Sequence, residues 1–151
     1  MSTYYYKSVQ WLPVDIREAW LFFSSAKNLE KITPPDMKFK IRTALEDREI
    51  YKGMLIRYTV SPLLGIPVSW QTEITEVDPP FRFTDSQLKG PFALWEHTHS
   101  FTAKNNGTLM EDIVKYRLPF GVLGKLTHQL VVKRRIKSIF DYRKQVLEDL
   151  F

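Results

Sequence analysis

The stretch that decides the fold is residues 94–118, LWEHTHSFTAKNNGTLMEDIVKYRL. Before its turn cluster, Trp95, His97, His99 and Phe101 alternate with Leu94, Glu96, Thr98 and Ser100. After it, Met110, Asp112, Val114, Tyr116 and Leu118 alternate with Glu111, Lys115 and Arg117. Two period-two runs joined through Asn105-Asn106-Gly107 are the pattern of an antiparallel hairpin. A two-residue loop at Asn106-Gly107 sets Phe101 opposite Asp112, whereas a four-residue loop sets His99 opposite Asp112. In either register His99 and Asp112 face one another, directly or diagonally, on the same side of the sheet.

Upstream, the same alternation runs through residues 37–42, 54–60, 68–75 and 81–83, and an aromatic-polar alternation runs through 3–12. Between the first strand and the rest, Asp15 followed by Glu18 fits a helix-capping box. Ile16, Ala19, Trp20 and Phe23 then form an apolar helical stripe. Asn28–Ile32 predicts a second short helix, ended by Thr33-Pro34-Pro35. Downstream, one helix is predicted from about Val122 to Leu150, about 43 Å long at 1.5 Å per residue. The expected architecture is α+β. A seven-stranded antiparallel curved sheet is gripped by two short N-terminal helices and one long C-terminal helix, over an internal cavity.

At 151 residues the chain fits one domain, expected over 1–151, and its 44% hydrophobic content supports a buried core. No Cys is present, which excludes disulfides, thiolate metal sites and thiol nucleophiles. No apolar run approaches the ~20 residues that a membrane-spanning helix needs, and the first residues lack a signal-peptide pattern. A cytoplasmic protein is the expectation.

The net charge of +5 raises nucleic acid or an anionic membrane as partners. Most of that excess lies in residues 122–151, where seven Lys and Arg face only Asp141, Glu148 and Asp149. Lys133-Arg134-Arg135-x-Lys137 therefore reads as the solvated face of a helix. No phosphate loop or recognition-helix signature accompanies it, so nucleic acid is not expected, and transient contact with a membrane surface stays open as an alternative.

By alternation the inner face carries Tyr58, Trp70, Trp95, His97, His99, Phe101, Asp112 and Tyr116. These are aromatic and partly polar, where a solid core favours Leu, Ile and Val. Two readings stay open on that evidence, a large aromatic core and a small-molecule pocket. Three connections at one end of the meander favour the pocket: Ser61–Pro67, Leu88–Phe92 and Pro119–Gly124. All three are rich in Gly or Pro and in apolar side chains, as a hinged, greasy mouth would be.

His97-x-His99 with Asp112 has the donor types of a Zn or Fe(II) site. A hydrogen-bonded cluster of His with Asp112 or Tyr116 needs no ion, and neither metal nor cofactor is expected. Arg143 falls near the centre of the helix stripe formed by Val132, Ile136, Ile139, Phe140, Leu147 and Leu150, so it must snorkel, find an acid there, Asp112 or Glu96, or reach a ligand. Leu123, Leu126 and Leu130 lie on a different face from that stripe, which predicts a bend near Leu130–Lys133.

These residues carry a resemblance. Trp11-Leu12-Pro13, Ala19–Phe23, Asn28-Leu29 and Ile32-Thr33-Pro34-Pro35 resemble the opening of the SRPBCC superfamily, the START/Bet v 1-like group with its polyketide cyclase/dehydrase and lipid-transport branch. Trp95–Phe101, the run Asp112–Gly124 and Ile139–Arg143 are similar to one bacterial ligand-binding subgroup of it. The resemblance implies a helix-grip fold around a deep hydrophobic cavity and carries over no catalytic residues.

Function divides three ways. The leading expectation is binding or carriage of a hydrophobic small molecule (a lipid, an isoprenoid or quinone, or a polyketide-like chain). The expected lining is Tyr58, Trp70, Trp95, His97, His99, Phe101, Asp112, Tyr116, Phe120, Ile136, Phe140 and Arg143. The alternative is a metal-free cyclase/dehydratase-type enzyme using His97, His99, Asp112 and Tyr116. A membrane- or protein-docking module is the third. The oligomeric state is not legible.

Overall fold

A computed structural model describes residues 2–46 and 48–151. Seven strands form one antiparallel sheet: β1 (Thr3–Leu12), β2 (Lys40–Ile41), β3 (Leu55–Val60), β4 (Val68–Asp78), β5 (Arg82–Lys89), β6 (Leu94–Lys104) and β7 (Gly107–Arg117). Their spatial order is β1-β7-β6-β5-β4-β3-β2, a meander with the first strand returned to pair with the last. Helix α1 (Ile16–Phe23) and a 3₁₀ segment, Ala26–Ile32, link β1 to the opposite edge. Two helices end the chain, α2 (Gly121–Thr127) and α3 (Lys133–Leu150), joined without interruption by a π-turn over His128–Val132. This is the α+β helix-grip arrangement expected.

Local chemistry explains the element boundaries. Asp15 caps α1 by accepting a hydrogen bond from the Arg17 N–H at 2.7 Å, leaving Ala19, Trp20 and Phe23 to face the core. The β6–β7 ladder runs from Leu94 opposite Arg117 to Lys104 opposite Gly107, and His99 stands directly opposite Asp112. Its loop is only Asn105-Asn106, with φ of 51° and 60°. Asn tolerates this left-handed conformation, so the turn does not need Gly107. That glycine serves close approach instead: a Cβ there would collide with the Trp11 ring and the Leu12 carbonyl.

Two expectations need adjustment. The strand anticipated over 37–42 shrinks to Lys40–Ile41, because Pro35–Met37 closes a 3₁₀ turn and Lys38 takes a left-handed φ of 49°. The phase break in the last helix is carried by a π-turn. One wider turn changes the face on which later side chains emerge.

The helices cover one face of the sheet without filling it. Buried apolar side chains fall into separate groups, one around Trp20, Phe101 and Leu147, another around Val114, Ile136 and Phe140, a third around Met37, Val60 and Trp70. Between them lies a cavity.

Candidate functional site

The cavity has a volume of about 550 Å³ and lies between the concave sheet and the C-terminal helices. Tyr58, Trp70, Trp95, His97, His99, Phe120, Ile136, Phe140 and Arg143 all stand on its wall. Phe101, Asp112 and Tyr116 stand behind that wall. Phe101 packs with Phe23 and Trp20, and the Tyr116 hydroxyl is 2.6 Å from His128 Nε2. Burial first, and then Tyr4, pushes the Tyr116 pKa up to about 12.

Aromatic contacts build much of the wall. Trp70 lies stacked with Tyr58 at 5.8 Å between ring centres and meets Trp95 edge-on at 5.4 Å. Burial raises the Tyr58 phenol far above its ordinary value and keeps it neutral. The three anticipated loops converge on this cavity through Pro62 and Leu63, Pro91 and Phe92, and Pro119 and Phe120. Phe120 carries a left-handed φ of 73° at the start of α2 and is 77% exposed. Gly124 packs so closely on the loop that a Cβ would strike the Pro119 carbonyl.

Set into this apolar enclosure is one polar cluster. His97 and His99, two apart on β6, project to the same side and stack with ring centres 3.7 Å apart. His97 Nε2 lies 2.8 Å from Asp112 Oδ1, and His99 Nε2 lies 2.9 Å from Asp85 Oδ2. His99 Nδ1 is 3.2 Å from the same Asp112 oxygen but outside hydrogen-bonding geometry. Phe83 stacks against the far side of His99 at 4.0 Å. From α3, Arg143 lays its guanidinium over the Phe140 ring at 4.9 Å and brings Nη1 to 3.8 Å from Asp112. Its Nε and Nη1 make no hydrogen bond. Glu96, the other acid considered for Arg143, lies on the alternate side of β6 from His97 and His99.

The two imidazoles are driven in opposite directions. Burial lowers the His97 pKa and the neighbouring His99 charge lowers it further, against the pull of Asp112. Burial also opposes charge on His99, but the close Asp112 carboxylate and the hydrogen-bonded Asp85 carboxylate prevail and raise it. Burial alone would raise both carboxyls. For Asp112 the His97 and His99 contacts reverse the sign, and for Asp85 the His99 hydrogen bond and surrounding positive charges do so.

Asp85, His97 and His99 each offer a ligand atom within 4.8 Å of one another, a spacing that suits a metal ion. Both Nε2 atoms, however, are already engaged by carboxylates, and Arg143 adds positive charge beside Asp112. The donor set fits a proton-sharing chain better than a cation. Asp85 escapes the sequence argument because it sits in the polar run Thr84-Asp85-Ser86. The available signal is the period-two step from Phe83, which also lines the cavity. The basic run is divided: Arg135 bonds the Pro62 carbonyl at 2.8 Å and pairs with Asp36 at 3.1 Å, whereas Lys137 pairs with Asp141.

This geometry is the fold of solved START and Bet v 1-like proteins. A START superfamily protein from Mycobacterium smegmatis superposes with a TM-score of 0.70 at 14% identity, covering 97% of this chain and 99% of that one. Ara h 8.0201 matches with a TM-score of 0.61 at 16% identity over 98% and 99% of the two chains. A protein from Thermus thermophilus gives 0.65 at 20% identity over 97% and 98%. No family model and no curated protein sequence matches the chain. Among the described residues, no helix is long and apolar enough to cross a membrane.

Proposed function

We propose that residues 1–151 act as one ligand-binding unit that binds or carries a hydrophobic small molecule, a lipid, an isoprenoid or quinone, or a polyketide-like chain. The observation that carries this reading is the cavity of about 550 Å³ walled by Trp70, Tyr58, Trp95, Ile136 and Phe140. Its size falls within the ~300–1,000 Å³ typical of small-molecule sites. Each methylene moved from water onto such a wall gains about 0.8 kcal/mol, so a medium-length chain suffices to offset the entropy of association. A cytoplasmic setting accompanies this reading, since a chain without Cys loses nothing in a reducing compartment.

Native mass spectrometry of the purified protein tests the proposal. A noncovalent small-molecule adduct is expected, and Ile136→Trp, which fills the cavity, should lose it. An adduct-free protein that also fails to take up a neutral fluorophore such as N-phenylnaphthylamine would overturn the reading.

A second reading is favoured by the opposed His97 and His99 pKa directions on the cavity wall, since paired groups pushed apart suit acid and base roles. In that reading a cyclase/dehydratase-type enzyme works without metal on a ketone-bearing chain. Asp112 and Asp85 hold the imidazoles, and Tyr116, tied to His128, takes no direct part. Chromatography coupled to mass spectrometry of an offered ketone-bearing chain separates the two: a carrier returns it unchanged, a cyclase returns an isomer of altered retention, and a dehydratase returns it lighter by one water.

Membrane contact is the partner reading of the mouth. Leu64 is 94% exposed, and Val122, Leu126 and Leu130 are also exposed in the chain's apolar rim segments. No Asp or Glu occurs from 113 to 140, whereas Lys125, Lys133 and Arg134 do, and both lysines and that arginine are exposed. Apolar side chains flanked by unopposed positive charge suit an anionic bilayer surface.

A further inference from the structure

A hydrophobic cavity does not require a guanidinium. Arg143 lines the cavity at the last position of α3 to do so, with its side chain 9% exposed and its Nε and Nη1 making no hydrogen bond. Beyond it, Leu147 is sealed in the core. The acid paired with Arg143 is Asp112, at 3.8 Å, and that oxygen is already shared with His97 and His99. An arginine held solely as a brace would spend its donors on the carboxylate in a close, forked contact. Here the charge is balanced at a distance and the donors are left over.

The charges of the cluster decide what those donors take. Asp85 and Asp112 contribute two negative charges, and Arg143 contributes one positive. One proton on the imidazole pair closes the sum at zero. A second proton would place two positive rings in a stack with centres 3.7 Å apart, which mutual repulsion opposes. The cluster has therefore no charge to spare for an anion, which would leave a net negative site in an apolar enclosure. A neutral oxygen acceptor changes nothing in this sum and satisfies the unpaired N–H groups.

We infer that Arg143 is a recognition residue that receives a neutral carbonyl oxygen of the ligand, of the ketone, quinone or ester class, at the end of the cavity remote from α2. The ligand's apolar body then runs along Ile139, Ile136 and Trp70 toward Pro62 and Phe120 at the mouth. This rests on the proposal that the cavity takes a hydrophobic small molecule, and it selects among such molecules: fatty acids and other carboxylates are disfavoured.

The test compares three probes of similar length, dodecane, dodecanoate and methyl undecyl ketone, by displacement of N-phenylnaphthylamine from the full chain. The ketone should displace at concentrations about 10- to 100-fold lower than either other probe, the worth of a charge-assisted hydrogen bond. In Arg143→Met the ketone should fall to the level of dodecane. In Arg143→Gln, which keeps a neutral donor, part of the preference should return. Tightest binding by dodecanoate, equal binding of all three by the native chain, or a ketone preference that survives Arg143→Met overturns the inference while the cavity reading stands. If the fluorophore and all probes fail to bind, both fall together. Should the variants not fold, the ranking on the native chain decides alone.

Discussion

Asp112→Asn keeps the shape of a side chain that is only 2% exposed and removes its charge. One oxygen of Asp112 lies 2.8 Å from His97 Nε2, 3.2 Å from His99 Nδ1 and 3.8 Å from Arg143 Nη1. A unit charge pair at that last distance is worth about 4 kcal/mol at an effective dielectric of 20, before the desolvation of both groups. Neutralising one side of a buried pair strands the other, and the expected loss of stability is about 3–5 kcal/mol. Urea unfolding followed by tryptophan fluorescence would show it as a midpoint lowered by about 2 M, for a slope near 2 kcal/mol/M. Arg143→Met and the double variant complete a cycle. The double variant should cost less than the sum of the singles by at least about 1 kcal/mol, because the groups share one charge network. A cost below about 1 kcal/mol for Asp112→Asn, or single costs that add within about 0.5 kcal/mol, would refute the view that this network balances its own charge.

The imidazoles and the rim give two further expectations. His99 binds its proton more tightly in the folded chain, so its contribution is fully present below the free value near pH 6.5 and is lost as pH rises through the folded value. The deficit of His99→Asn in urea midpoint should therefore narrow from about pH 5.5 to about pH 9. His97, depressed on folding, has the opposite sign, and the deficit of His97→Asn should narrow on acidification. Deficits that stay constant with pH would contradict both assignments. At the rim, flotation at low salt should show the protein rising with phosphatidylglycerol vesicles and not with phosphatidylcholine alone. Val122→Ser with Leu126→Ser should weaken that binding at least about tenfold, and equal binding to both vesicles would refute the electrostatic part.

Much of the fold was legible because its two periods are clean. Trp95–Phe101 and Met110–Leu118 keep their alternation despite Ile113 on the outer face, and both loop registers considered set His99 near Asp112. The exact loop was less legible, since Gly107 answers to Trp11 from a strand nearly a hundred positions away and not to the turn. The strand at 37–42 was overstated for a similar reason: alternation was intact, but Pro35 and the left-handed Lys38 end it locally. Within the site, His97, His99 and Arg143 stood out as polar residues on apolar faces. Asp85 did not, because its neighbours are polar on both sides. The Tyr116–His128 contact was also hidden, since it depends on how the turn after α2 settles against Tyr4 of β1, which stacks on His128 at 3.6 Å.

The π-turn at His128–Val132 has a consequence for the length of the chain. A helix that advances 100° per residue throughout would set Leu123, Leu126 and Leu130 at the flank of the stripe formed by Ile136, Phe140 and Leu147, only about 100° from its centre. One surplus residue in a single turn separates the two faces. Deleting any one position there would return the segment to an ordinary helix and swing α2 by about 100° about its axis. Gly124 would leave its seat on Pro119, and the rim leucines would rotate off the opening. At this place the molecule depends on how many residues there are more than on which ones they are.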